Sequence, residues 1–290
     1  MNGRRWLLAQ CLFVAPAVVL FAAFVYYPFL SGLRYALTQW DGITPPVDVG
    51  LANFGRVFDD PALLDAARNT LWFVLATLFL YTPLSLCLGL ALDQPLRGRG
   101  ALRTMFYLPV VLAPLVVGVV WTNLLGYYGT ANAILSGIGL GSLVRDWLGS
   151  TATALPSLIF IGIWGTGFGA VIFLAGLQSI PPELTEAATI DGAGAWSTFR
   201  RVTFPLLMPA VTINVFLGLT GALKVFDLPY VMTNGGPGDS TTTVALYVYN
   251  LAFRDSVWGY AAAIGVVFFL VILCIASAQL LITRRLEVQF

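Results

Sequence analysis

Residues 259–282 read GYAAAIGVVFFLVILCIASAQLLI, 24 positions without one Asp, Glu, Lys or Arg. About 20 apolar residues in a helix cross a hydrocarbon layer of about 30 Å. No water is available there, so the backbone must close its own hydrogen bonds, and a helix does so within one segment. The stretch predicts a membrane-spanning helix. Working back along the chain, 7–30, 70–92, 104–125, 155–177 and 206–228 pass the same test, and only 206–228 carries charge, Lys224 and Asp227. The first is longer than the roughly 7–15-residue apolar region of a cleaved signal peptide, so it reads as a retained helix. The fold expected is all-α: one polytopic domain over 1–290 with six transmembrane helices.

Composition points the same way. Hydrophobic residues make up 58% of the chain and charged ones 10%, against about 25% charged in ordinary soluble domains. The net charge of +1 gives no basic stripe for nucleic acid. The chain has no histidine, which removes imidazole acid–base chemistry and histidine metal ligation. Cys11, Cys87 and Cys274 lie singly in separate apolar stretches and read as small hydrophobes. No catalytic residue and no metal site is expected. Lys224 is the only lysine, and no G-x-x-x-x-G-K-[ST] loop exists. Any nucleotide that drives this protein is expected to be hydrolysed elsewhere.

Arginine sets the expected orientation. Arg4 and Arg5 precede the first stretch, Arg97, Arg99 and Arg103 fill the second loop, Arg200 and Arg201 the fourth, and Arg284 and Arg285 follow the last. Those nine face five (Arg34, Arg56, Arg68, Arg145, Arg254) spread over the longer loops 31–69, 126–154 and 229–258. Positive charge favours the cytoplasmic side, so both termini and the loop between the fourth and fifth spans are expected there.

That loop, residues 179–205, is a charged island between apolar stretches. Pro181-Pro182 stops one helix and suits the first turn of the next. Glu183 and Glu186 lie near that helix's positive end. Leu184, Ala187 and Ala188 (i, i+3, i+4) give a small apolar face. Asp191-Gly192 supplies a break where glycine takes a left-handed turn. A second short helix, Ala195 to Thr203, brings Trp196 and Phe199 to one side, and Pro205 and Pro209 lead into the next span. Two readings suit a compact amphipathic hairpin: a connector gripped by a soluble partner, or a segment resting on lipid headgroups.

A resemblance bears on that choice. Glu186-Ala187-Ala188, three residues, Gly192, nine residues, then Val202-Thr203-Phe204-Pro205 resembles the EAA loop of bacterial ABC-importer permeases. That pattern ends in Ile-x-Leu-Pro, and this chain has Val and Phe in the Ile and Leu places. The flanks, Ala175-Gly176-Leu177-Gln178-Ser179-Ile180-Pro181 and Leu228-Pro229-Tyr230-Val231-Met232-Thr233-Asn234-Gly235-Gly236-Pro237, are similar to the carbohydrate-uptake subfamily. The likeness is closer to the first permease of the two-permease maltose- and glycerol-phosphate-type systems than to its companion. It implies import of a sugar, a di- or oligosaccharide, across a bacterial inner membrane by alternating access. It also implies a heterodimer with a second homologous permease, two cytoplasmic ATPase subunits holding ATP and Mg, and an extracytoplasmic sugar-binding protein. No cofactor is expected on this chain. Carried over by position, Glu183, Glu186, Ala187, Ala188, Asp191, Gly192 and Pro205 form the coupling loop, with Glu186 pairing a basic residue of the ATPase cleft.

Candidates for a substrate path are polar or aromatic residues on or beside spans: Asn214, Asn123, Lys224, Asp227, Trp164 and Phe168. Ionisable groups in spans are functional suspects. Lys224 and Asp227, three apart, are expected on one helix face; they either pair with each other, with Lys224 snorkelling, or line the path. Gly165 and Gly169 form a G-x-x-x-G expected at a helix contact. Other readings are a permease for a solute such as glycerol phosphate or a polyamine, a secondary transporter, and an intramembrane enzyme. The last two lack the midplane carboxylates or catalytic groups they need.

Overall fold

The computed structural model describes residues 3–95 and 97–287, with side chains from residue 10 onward apart from residue 96. In chain order the helices are α1 (Gly3–Phe21), α2 (Tyr27–Tyr35), α3 (Ala52–Asp59), α4 (Pro61–Ala76), α5 (Thr82–Asp93), α6 (Arg99–Val111) and α7 (Pro114–Leu125). They continue as α8 (Thr130–Gly137), α9 (Ala154–Trp164), α10 (Gly167–Gln178), α11 (Pro182–Ile190), α12 (Ala195–Thr198) and α13 (Phe204–Leu206). Last come α14 (Met208–Leu223), α15 (Asp227–Met232), α16 (Val244–Tyr249) and α17 (Trp258–Arg284). The expectation of an all-α chain fails only at one antiparallel pair, β1 (Thr38–Gln39) with β2 (Val47–Asp48), registered Thr38 to Asp48 and Gln39 to Val47. Arg4 and Arg5, expected ahead of the first helix, fall in its first turn, and their side chains lie outside the described residues.

Among the described residues, five helices are long and apolar enough to cross a membrane: Gln10–Tyr35, Pro61–Asp93, Ala154–Gln178, Met208–Met232 and Trp258–Arg284. A sixth candidate is bent by 96° between Arg99–Val111 and Pro114–Gly137. The stretch 104–125 is therefore not one straight helix. Leu112 and Ala113 are extended (ψ 136° and 135°), because the ring of Pro114 disfavours helical geometry in the residue before it.

Prolines shape the other spans differently. The π turns Ala22–Tyr26, Thr77–Tyr81 and Phe199–Thr203 each end two residues before a proline, Pro28, Pro83 and Pro205. In each, the next N–H reaches back five residues, as from Thr82 to the Thr77 carbonyl. A proline ring in a helix collides with the carbonyl four residues back, and the wider turn relieves that contact while keeping the backbone bonded.

The described chain packs as two compact units, one reaching to Asp60 and taking in Val248–Leu270, the other Pro61–Tyr247 with the chain from Val271 onward. In the first, Gly259 N–H donates to the Trp40 carbonyl (3.1 Å) and Asn53 Nδ2 to the Ala36 and Thr38 carbonyls (3.0 and 2.8 Å). The Tyr260 hydroxyl donates to Asp60 Oδ2 (2.6 Å), and the Arg56 guanidinium lies 4.2 Å from the Tyr260 ring centre. Asp41, on the connecting loop, accepts the Ile43 and Thr44 N–H groups and the Thr44 hydroxyl, which hold its carboxyl below the usual range.

In the second unit α10 packs on α5, α6 and α14. Its core joins Phe173 and Leu177 of α10 to Leu207 and Ala210, flanked by Leu86, Leu90, Ile172 and Val211. The loop after α15 is bound by hydroxyls. Thr233 and Thr241 share a 2.7 Å bond, Thr241 donates to the Gly236 carbonyl (2.9 Å), and Thr243 to the Val225 carbonyl (2.7 Å). α4 holds this loop: Asn69 Nδ2 donates to the Asp239 and Thr242 carbonyls (3.1 and 2.9 Å), and Thr70 Oγ1 accepts the Val244 N–H (3.0 Å). Thr70 is 2% exposed. Replacing it with valine keeps its shape and strands a buried N–H, which costs about 1–3 kcal/mol. Thr70→Val is expected to lower the unfolding midpoint of the detergent-solubilised protein, and an unchanged midpoint would show that the loop is held by other means.

Candidate functional site

Two places combine polar chemistry with a cleft, both in the second unit: a hairpin after α10 and a cavity among α4, α5, α9, α10 and α14.

The hairpin forms as its sequence predicts. Ser179 ends α10, Pro182 opens α11, and Glu183 sits in the first turn. α11 closes through N–H bonds from Asp191 to the Ala187 carbonyl (3.0 Å), Gly192 to Thr189 (3.0 Å) and Ala193 to Ala188 (2.9 Å). Gly192 has φ +81°, left-handed geometry that a side chain would strain. α12 follows and runs through its π turn into α13 and α14, with Pro205 in the first turn of α13. Trp196 stacks on Phe199, ring centres 5.7 Å apart. Glu183, Glu186, Ala187, Asp191 and Gly192 are exposed and Ala188 is half-buried. Ile190 and Trp196 are 86% and 71% exposed, so the hairpin presents an apolar tip outward.

A groove of about 930 Å³ runs between the hairpin and the end of α5. Glu186 lines it with Thr185, Thr189 and Phe199 on one side and Asp93 and Gln94 on the other. No described residue lining it is basic. Two carboxylates with no lining cation form a receptor for a positive side chain. Asp93 was not expected at this site. Its sequence signal is weak, a lone acid ending a charge-free stretch just before Arg97, Arg99 and Arg103.

The cavity encloses about 250 Å³. Its polar groups are Asn214, Thr77 and Tyr81, set among Phe73, Phe168 and Gly218. Around them the helices come close. The Gly169 N–H donates to the Tyr81 hydroxyl (3.1 Å), and Ser85 Oγ donates to the Thr166 carbonyl (3.1 Å). A Cβ on Gly169 would lie 2.5 Å from both Asn214 Nδ2 and Ser85 Oγ, so glycine is what lets α5, α10 and α14 converge. Asn214 is 2% exposed, and among the described residues its Oδ1 has no hydrogen-bond partner. Buried polar atoms are nearly always paired, and an unpaired one calls for an explanation.

Of the path candidates, the structure brings together Asn214 and Phe168. Asn123 is exposed, and its Nδ2 donates to the Val119 carbonyl of its own helix (2.8 Å). Trp164 lies edge-to-face on Trp121, ring centres 5.6 Å apart, and is not among the described cavity-lining residues.

Lys224 and Asp227 correct the sequence expectation: they do not share a helix face. α14 ends at Leu223, Lys224 turns (φ −96°, ψ 14°), and Asp227 starts α15. A continuous helix would press the Pro229 ring on the Val225 carbonyl, and that carbonyl instead accepts the Thr243 hydroxyl. Both charged residues are exposed, and no ion pair joins them among the described residues. Gly165 and Gly169 likewise fall on two helices, α9 ending at Trp164 and α10 starting at Gly167. Tyr81 and Ser85 were missed, although Thr77, Tyr81 and Ser85 recur every fourth residue in a charge-free stretch.

With this geometry the comparisons agree. The chain is 34% identical over 278 residues to the multiple sugar-binding transport system permease protein MsmF of Streptococcus mutans, covering 95% of each chain. It is 35% identical over 288 residues to the diacetylchitobiose uptake system permease protein NgcF of Streptomyces coelicolor, covering 94% of this chain and 81% of that one. In structure it superposes with a TM-score of 0.83 and 27% identity on a bacterial ABC transporter chain involved in import of the acidic polysaccharide alginate, covering 97% and 96% of the two chains. The family model for binding-protein-dependent transport system inner membrane components matches residues 82–288. Its apolar helices, its relatives and that match together make the chain a multi-pass membrane protein belonging to the binding-protein-dependent transport system inner membrane component family.

Proposed function

We propose that the chain is the membrane-spanning permease subunit of an ATP-driven, binding-protein-dependent importer that moves a sugar, a di- or oligosaccharide, into the cytoplasm by alternating access. Relatives that transport sugars support the substrate class. The observation that carries the mechanism is the hairpin Pro182–Thr203: two short helices locked by a bonded glycine turn, continuous with membrane helices at both ends.

Force from a soluble motor passes through such a hairpin without being lost in loop motion. In this reading two ATPase subunits, holding ATP and Mg, dock from the cytoplasm, where both chain termini also lie, consistent with the arginine distribution. A cationic side chain of an ATPase enters the groove and pairs with Glu186, and Asp93 adds to the negative field. Ile190 and Trp196 supply apolar contact, and Ala187 and Ala188 keep the docking face low. Glu183 and Asp191 flank that face, while Gly192 and Pro205 set the turn and the exit of the hairpin. A second, homologous permease completes the path as a heterodimer. An extracytoplasmic binding protein delivers the sugar, as fits a solved relative captured in complex with its periplasmic protein. The path uses the cavity at Asn214 and Phe168. This chain binds no nucleotide of its own.

Opposite charge at the groove should break the coupling. Glu186→Lys in the reconstituted transporter is expected to cut ATP-driven uptake at least about tenfold with membrane insertion intact, since like charges now meet in a desolvated contact; normal uptake would remove Glu186 from the coupling site. Gly192→Val strains the left-handed turn by roughly 1–2 kcal/mol and is expected to weaken ATPase association in pull-downs from detergent; wild-type recovery of the ATPase would mean the turn does not set the docking face. Proteoliposomes holding the permeases alone should accumulate no sugar with ATP supplied, and accumulation there would favour a secondary transporter.

A further inference from the structure

The cavity at Asn214 carries information about what it admits. None of the described residues that line it is acidic or basic. Its wall is mostly aliphatic and aromatic, and the chain's one ammonium, on Lys224, is exposed and not among the described lining residues. Moving a carboxylate or sulfonate from water into such a wall without a countercharge costs far more than moving a hydroxyl that finds one partner.

The lone polar feature pointing into this space is the Asn214 amide, buried to 2% exposure with Oδ1 unpartnered among the described residues. A primary amide offers both donors and acceptors. A sugar hydroxyl also donates and accepts, so it satisfies either edge of the amide. An anionic group only accepts, and would leave the carbonyl oxygen stranded. Phe168 and Phe73 add apolar surface to the same wall, which suits the C–H face of a neutral ring. The volume of about 250 Å³ is just below the smallest of ordinary ligand pockets, about 300 Å³, so a saccharide passes ring by ring.

We propose that this chain selects uncharged, hydroxyl-bearing saccharides, with Asn214 as the selecting residue, and that it discriminates against uronic, sulfonated and phosphorylated sugars. This rests on the reading of the cavity as part of the import path. It sets the chain apart from its structural relative, whose transporter imports an acidic polysaccharide.

The test uses the assembled transporter, with its cognate partner subunits, in proteoliposomes. Uptake is measured for a neutral panel (maltotriose, cellotriose, lactose, chitobiose) and an acidic panel (oligogalacturonate, oligoalginate), the acidic panel serving also as competitor. Wild type is expected to import at least one neutral sugar and to be unaffected by a tenfold excess of the acidic panel. Asn214→Leu, of matching size, is expected to lose neutral uptake by about ten- to hundredfold, the usual range for losing one buried hydrogen bond to a substrate hydroxyl. It should also raise KM for the neutral sugar and keep the wild-type unfolding midpoint. Acidic uptake equal to neutral in wild type, or unimpaired neutral uptake by Asn214→Leu, overturns the selection while leaving sugar import standing. Uptake of neither panel by wild type overturns the sugar-import reading itself.

Discussion

In hydrocarbon every backbone N–H and C=O must find its partner inside the protein, and the structure depends on that constraint. It turns each apolar stretch into a helix and leaves the prolines as the points of conflict. The chain resolves the conflict in two ways. Where proline follows a widened turn, as at Pro28, Pro83 and Pro205, the ladder stays closed and the helix runs on. Where a side chain accepts the role of the missing partner, the helix stops. The Val225 carbonyl, freed ahead of Pro229, takes the Thr243 hydroxyl, and the chain turns at Lys224.

The hairpin and the cavity are joined by the same two helices. α10 carries Gly169 in the cavity wall and ends at the hairpin's entrance, and α14 leaves the hairpin and carries Asn214. Between those points lie Phe173, Leu177, Leu207 and Ala210, the packed core of the unit. Close-packed interiors transmit displacement rather than absorb it. A rigid hairpin outside and a polar node inside, bridged by a solid core, make one mechanical element.

Much of this was legible in the sequence because it is local. Charge-free stretches gave the spans, and Pro181-Pro182 with Asp191-Gly192 gave both ends of α11. What escaped depends on distant residues meeting. The end of α14 is set by Thr243, which no window around Lys224 contains, so two charges three apart were read as one helix face. The cavity forms where Tyr81, Gly169 and Asn214 converge from three helices, and only Asn214 stood out as a buried amide. Asp93 gains meaning only when α11 folds back beside α5.

The widened turns also bear on how the chain tolerates changes of length. A π turn holds one residue more than an α turn spanning the same ladder. Losing one residue at Thr77–Tyr81 lets the turn relax to ordinary pitch with both flanks in phase. Losing one from a plain stretch, such as the middle of α17, turns everything beyond it by about 100° about the axis and swings its buried face into lipid. The positions of these turns thus mark where an otherwise phase-locked membrane helix can gain or lose a residue and keep its faces.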